Sequence, residues 1–152
     1  LMRHAKSDWG DSSLDDFDRP LAKRGEKAAV KMAKWLCGNT PRPQLVVSSP
    51  ARRARQTTEV IAKRLGLTEK VVWDQRIYEA TAGTLETVRS EFGQHHKCLM
   101  LVGHNPGLED VLVHWIPHAT PAKNLFPTGA IVQIDLSTEA PTLKALARPR
   151  EI

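Results

Sequence analysis

The chain is poor in several things that would otherwise define it. It has two cysteines, Cys37 and Cys98, in 152 residues. They have no metal-binding spacing and suggest no disulfide framework, so a reduced, cytoplasmic setting is expected. Aromatic residues number eight: four Trp, three Phe and one Tyr. The excess of 22 basic over 17 acidic residues, a net charge of +5, favours anionic partners in general. Without a Lys/Arg block or interleaved aromatics it points to no nucleic-acid interface. No apolar run approaches the ~20 residues of a membrane span, and no signal-peptide pattern is present, so no membrane partner is expected. The patterns G-x-x-x-x-G-K-[ST], G-x-S-x-G and C-x-x-C are missing, which leaves nucleotide-loop, serine-hydrolase and redox readings without support. His114 and His118 stand four apart, but Pro117 breaks the helix that would pair them, so no metal site is expected.

What remains is an ordinary globular composition, 41% hydrophobic and 26% charged. Residues 1–152 are read as one domain. A chain of that size buries roughly 68–70% of its unfolded surface and needs no covalent staples. The first residue is Leu and the first apolar run is very short, so a few apolar residues of that strand are expected to be missing.

Hydrophobic periodicity divides the chain into alternating elements. Residues 5–20 are polar and acidic and read as a long surface loop, closed by Arg19-Pro20-Leu21. A helix is expected over 22–36, with Ala22, Ala29, Ala33 and Leu36 on one face, Val30 and Met32 near it, and Lys23, Lys27, Lys31 and Lys34 outward. Gly38-Asn39, Pro41 and Pro43 stop it. Residues 45–48 form a strand. Ser49 as N-cap and Pro50 at the first helical position start a helix that Gly66 ends. A short strand over 71–73 leads into an irregular stretch, 74–82. Thr84 caps a helix to about residue 92. The run 97–102 is continuously apolar over Leu99, Met100, Leu101 and Val102, as in a strand buried on both faces. A turn over 103–107 precedes a helix over 108–116. Pro117, Pro121 and Pro127 then punctuate a loop of the kind often functional in compact domains. Strands follow at 130–136 and 143–147. Strands alternating with helices argue an α/β sandwich on a mostly parallel sheet.

Three of these runs end alike. Leu1-Met2 empties into Arg3-His4, Leu45 to Ser48 into Ser49-Pro50-Ala51-Arg52-Arg53, and Leu99 to Val102 into Gly103-His104. Open α/β sheets bind ligands at the carboxyl ends of their strands. The three runs are therefore expected side by side, delivering Arg3, His4, Arg53 and His104 to one pocket. Alone, Arg3 and His4 read as a surface arginine beside a hydrogen-bonded histidine, and His104 as a residue filling a tight turn. At a shared strand edge they read differently: His is a competent nucleophile for phosphoryl groups, and arginines clamp phosphate oxygens. Arg52, Arg53 and Arg55 crowd a helix N-terminus, where cations oppose the macrodipole and a bound anion relieves the conflict. Spacing alone does not say which of the three faces the pocket. Glu79, after Tyr78, is a candidate proton donor to a leaving group.

Arg3-His4-Ala5 resembles the R-H-G signature of the histidine phosphatase superfamily, which includes phosphoglycerate mutases and acid phosphatases. Residues 49–57 are similar to its S-P-x-x-R-A-x-Q-T motif, and Val102-Gly103-His104-Asn105-Pro106 resembles its second histidine motif. The small SixA-like phosphohistidine phosphatases are most similar in pattern. They share R-H-A-K-S, D-x-x-R-P-L (residues 16–21), Y-E-A (residues 78–80) and G-H-N-P-G in this order. The resemblance implies a three-layer α/β/α sandwich of phosphoglycerate mutase type and a metal-independent phosphatase without cofactor. It implies that His4 becomes phosphorylated while Arg3, Arg53 and His104 hold the phosphoryl oxygens. The motif frame, an arginine directly before Ala54, selects Arg53. The resemblance also sets Glu79 where larger members carry a proton donor, and Arg19 at the border of the pocket as a further phosphate-binding residue. Thr128-Gly129-Ala130 resembles a late segment that abuts the site. The long cap insertions of mutases and acid phosphatases are missing, so the implied partner is a phosphorylated protein, with a small phosphate ester as the alternative. A phosphomonoesterase or mutase on the same fold, and a non-catalytic phosphate-binding module, are the competing functions.

Overall fold

The computed structural model describes residues 1–118 and 126–152, so Pro121 and the middle of the expected proline-punctuated loop lie outside the described residues. The elements run β1 (Met2–Arg3), α1 (Lys23–Asn39), β2 (Leu45–Ser48), α2 (Arg52–Leu65), β3 (Val71–Trp73), α3 (Ala82–Gly93), β4 (Leu99–Gly103), α4 (Gly107–Trp115), β5 (Ile131–Asp135) and β6 (Thr142–Ala147). The strands form one mixed sheet in the order β3-β2-β4-β1-β5-β6. From β3 to β1 every pairing is parallel, and β5 and β6 add antiparallel.

Side chains alternate across the sheet because a strand's period is two. Val46, Met100 and Val102 face one side with Met32, Ala33 and Leu36 of α1 and Ile61 and Ala62 of α2. Leu45, Val47 and Leu101 face the other with Leu85 and Val88 of α3 and Leu108, Val111 and Leu112 of α4. That is a three-layer α/β/α sandwich with a mostly parallel sheet, as the alternation of elements implied. Burial on both faces explains why β2 and β4 read as unbroken apolar runs.

Several local expectations are corrected. Val30 is exposed: α1 buries Gly25, Ala29, Met32, Ala33 and Leu36, a stripe that lies a full residue step, about 100°, from position 30. Helix α2 starts at Arg52 rather than at Pro50: Ala51 is still non-helical at ψ 139°, while the Ser49 hydroxyl accepts from Ala51 N at 3.2 Å and meets His104. Thr81, not Thr84, caps α3, its hydroxyl accepting from Thr84 N at 3.2 Å. Gly66 does end α2, in the left-handed conformation at φ 68°.

The segment 5–20 is only partly a surface loop. Ala5, Ser7 and Arg19 are buried. Its neck is closed by an antiparallel bridge between Ser7 and Leu21 and by Asp8 N donating to Pro20 O at 2.8 Å. Ala22 N donates to Lys6 O at 2.9 Å, and α1 presses on the same carbonyl at Gly25, where a Cβ would lie 2.1 Å from Lys6 O. A side chain there forces α1 away from the strand that carries His4. Gly25→Ala is therefore expected to destabilise the fold by about 1–3 kcal/mol, read as a lowered urea midpoint. An unchanged midpoint contradicts this close approach.

Candidate active site

Parallel pairing brings three strand ends to one edge. His4 N donates to Gly103 O and Ser49 N to Val102 O, both at 3.0 Å, so the residues that follow β1, β2 and β4 leave the sheet together. The rings of His4 and His104 lie 5.1 Å apart, centroid to centroid. Arg53, in the first turn of α2, is buried and points its Nε at His4 Nε2, 3.3 Å away. Of the three crowded arginines it alone turns inward. Arg52 is exposed, and Arg55 lies over the Trp73 ring. Arg3 is anchored through Nη1 to Phe126 O at 3.0 Å. Arg3, His4, Arg53 and His104 are thus gathered at one place.

The local bonds fix the chemistry of His4. Its Nδ1 lies 2.7 Å from Ala5 O, and a carbonyl only accepts, so Nδ1 carries the proton. Nε2 then keeps its lone pair, which accepts from Arg53 Nε–H. Burial first, then the neighbouring His104 and the charges of Arg53 and Arg3, push the ring's pKa down to about 3, against the opposing pull of the Ala5 carbonyl. The ring is neutral at physiological pH, with an unprotonated nitrogen facing a guanidinium.

His104 is also held neutral. Burial, then Arg53, Arg3 and Arg19, lower its pKa to about 4, with Asp16 opposing. The ring expected to hold a phosphoryl oxygen is therefore neutral at physiological pH. Its Nε2 shares a 2.7 Å hydrogen bond with Ser49 Oγ, and its buried Nδ1 has no partner among the described residues. When Ser49 donates to Nε2, the proton sits on Nδ1 and is available to an anion. Arg3 Nε is likewise buried with no partner among the described residues. Unpaired buried donors are costly, and two of them at a strand edge suit an oxyanion.

The other two sequence candidates stand differently. Glu79 is exposed, at φ 55°, and makes no hydrogen bond or ion pair among the described residues. Its chain neighbour Tyr78 is the one that enters the cluster, edge-on to His104 at 5.5 Å between centroids. Arg19 lies against Asp16, and its donors are engaged inside the protein. Nε and Nη2 donate to Asp16 Oδ1 at 3.2 and 2.9 Å, Nη1 to Ser7 Oγ at 2.7 Å, and its plane lies 3.5 Å from the Trp9 ring.

Four participants were not singled out as site residues from the sequence. Asp16 accepts from Arg53 through both its carboxylate and its carbonyl. Ser49 holds His104, and Thr57 Oγ1 ties Ala5 N (3.0 Å) to Arg53 O (2.7 Å). Asn105 Nδ2 donates to Phe126 O, the carbonyl that anchors Arg3. Ser49 and Thr57 sit at the ends of the S-P-x-x-R-A-x-Q-T stretch and Asp16 opens D-x-x-R-P-L, so the motifs held the signal. The late segment does abut the site: Gly129 N donates to His4 O at 2.9 Å, with φ 80°.

The two depressed histidines set a pH dependence. An unfolded imidazole takes up a proton below about pH 6.5, whereas these native rings do so only near 3 and 4. The unfolded state thus binds more protons as pH falls, and stability decreases from pH 6.5 towards 4, by at most about 1.4 kcal/mol per pH unit for each ring. Asp16 does not contribute in this window. Burial raises its pKa, but hydrogen bonds from Tyr78, Arg19 and Arg53 outweigh it and hold the carboxyl well below the usual range, so its loss begins below pH 3.8. Urea unfolding at pH 6.5 and 4.5 is expected to show this loss, and His4→Gln to reduce it. An equal loss in His4→Gln contradicts the assignment.

Comparison with known proteins agrees with the geometry. The family model for the histidine phosphatase superfamily, branch 1, matches residues 1–105. An uncharacterised protein of Mycobacterium tuberculosis is 38% identical over 105 residues, 69% of this chain and 63% of its own. A chloroplastic protein of Arabidopsis thaliana is 37% identical over 119 residues, 72% of this chain and 55% of its own. The chain thus spans little more than half the length of these relatives. Among solved structures, the Agrobacterium tumefaciens SixA, assigned as a phosphohistidine phosphatase, superposes with a TM-score of 0.86 at 30% identity, covering 98% of this chain and 96% of that one. Fold, motifs and clustered imidazoles together make the chain a member of branch 1 of the histidine phosphatase superfamily.

Proposed function

We propose that the protein is a metal-independent phosphohistidine phosphatase that works through a covalent intermediate on His4. The observation that carries the reading is the neutral His4 ring, anchored through Nδ1 to Ala5 O, with the Nε2 lone pair facing Arg53. A module that only bound phosphate would need the guanidinium groups but not an unprotonated nitrogen among them. The 30% identity to a SixA-type structure over nearly the whole of both chains adds support.

In the first step Nε2 attacks phosphorus in line. The Nε2–P bond forms as the bond to the leaving nitrogen breaks, and the leaving imidazole keeps that electron pair and takes a proton from solvent. Arg3, Arg53 and His104 bear the charge on the phosphoryl oxygens, the largest catalytic contribution in this chemistry. In the second step water attacks phosphorus, the Nε2–P bond breaks, its electron pair returns to Nε2, and inorganic phosphate leaves with the proton balance met by solvent. A phosphoimidazole needs little acid help to depart, which fits the exposure of Glu79. An alkoxide leaving group would need that help, so the phosphomonoesterase alternative predicts that Glu79→Gln is crippling.

Side-by-side turnover of a phosphohistidine protein and sugar phosphates, with EDTA present, tests the proposal. The phosphohistidine protein is expected to be the better substrate, with no loss to EDTA. Radiolabelled phosphate trapped on the enzyme should be acid-labile and missing in His4→Ala. An acid-stable label, or label kept in His4→Ala, overturns the scheme. Arg53→Ala should lower kcat/KM by about 10²–10³-fold, the effect of losing one oxyanion donor.

A further inference from the structure

Arg53 does not face His4 by its own rotamer preference alone. It is a long side chain with several soft torsions, and it is held at its far edge. Nη1 donates to Asp16 O at 2.6 Å and Nη2 to Asp16 Oδ2 at 2.9 Å, which leaves Nε–H directed at His4 Nε2. Asp16 is fixed in turn: Oδ1 accepts twice from Arg19, and Oδ2 also accepts from the Tyr78 hydroxyl at 2.7 Å. Arg19 is pinned to Ser7 beyond it, and Tyr78 lies edge-on to Phe17, next to Asp16 in the chain, at 5.1 Å between centroids. Every fixed point lies on the segment that leaves β1 after His4 or on the 3-10 turn Gln75–Ile77 and the residue that follows it.

The geometry points to Asp16 as the positioning residue of this site: its carboxylate and carbonyl together clamp the outer edge of Arg53, so that the guanidinium presents Nε–H to the group transferred on His4. Asp16 holds no phosphoryl oxygen itself, because a carboxylate repels one. This sets its signature apart from that of the arginines. Removing its charge frees Arg53 to wander, which slows the chemical step, and at the same time makes the pocket more cationic, which does not weaken binding of a phosphate anion. The assignment rests on His4 being the nucleophile, but one of its readouts does not.

The test compares wild type, Asp16→Asn and Tyr78→Phe. Expected for Asp16→Asn is a kcat lower by about 10–100-fold, with KM and the inhibition constant of inorganic phosphate unchanged or smaller. Tyr78→Phe, which removes only one bond to Oδ2, should show the same split more weakly and guards against misfolding of the first variant. A merely structural residue would lower the fraction of active enzyme and leave the KM and phosphate inhibition of the remainder unaltered, with the loss tracking the melting temperature. Nitrogen-15 NMR supplies the second readout, needing no turnover. The Arg53 Nε–H, identified by its disappearance in Arg53→Lys, should be protected from exchange in wild type and exchange-broadened in Asp16→Asn. A protected Nε–H in a folded Asp16→Asn, or phosphate inhibition that weakens in step with kcat, overturns the assignment. If wild type turns over no phosphorylated substrate while the NMR result holds, the proposed function fails and the clamp stands.

Discussion

Parallel pairing of β1 and β2 with the central strand β4 is the constraint on which the site depends. Each strand contributes a backbone edge, and the residues beyond each edge have nowhere to go but outward on the same side. Met2 pairs with Val102 and Ser48 pairs with Val102 from the other side, so the level at which each chain leaves the sheet is set by backbone hydrogen bonds. A register slip on either side would send His4 or Ser49 to the wrong face. The two apolar layers of helices fix that register, because Val46 and Val47 must face opposite cores.

Upon that frame sits an electrostatic arrangement that is unfavourable until something fills it. Two guanidinium groups and two imidazoles share a small, mostly buried volume. The protein manages this by keeping both rings neutral and by setting one carboxylate, Asp16, against Arg53 and Arg19. Arg3 Nε and His104 Nδ1 remain without a partner among the described residues. An incoming tetrahedral anion satisfies donors that the fold alone leaves unsatisfied. The same arrangement of donors therefore selects for charge and shape together. The neutral His4, with its proton held on Nδ1, is the part that turns binding into reaction.

Much of this was legible in the sequence because it rests on local patterns. Apolar runs buried on both faces marked β2 and β4, and the Arg-His pair, the Ser-Pro start and the Gly-His turn marked their ends. The selection of Arg53 came from a motif frame, since helical spacing by itself treats Arg52, Arg53 and Arg55 alike. What could not be read was the work done by residues far apart in sequence. Asp16 lies among Asp8, Asp11, Asp15 and Asp18 in a stretch that looks uniformly solvated; its place at the head of D-x-x-R-P-L sets it apart, but the role itself takes tertiary contact with Arg53 and Tyr78. Arg19 looked like a ligand for phosphate, but its donors are engaged within its own loop. Val30 failed because an apolar side chain one residue off a helical stripe is exposed whatever its hydrophobicity. Ser49 was read as a helix cap because Ser-Pro is a strong local signal. Its partnership with His104, 55 residues away, is marked only by its place at the head of the S-P-x-x-R-A-x-Q-T stretch.

The most direct measurement of the central claim is a phosphate titration followed by NMR of the ring carbons of His4 and His104 in the same sample. If segments a hundred residues apart surround one tetrahedral anion, both rings shift along a single saturating curve with one phosphate bound per chain. Curves with different midpoints, or a response from only one ring, would mean that the two histidines do not share a site.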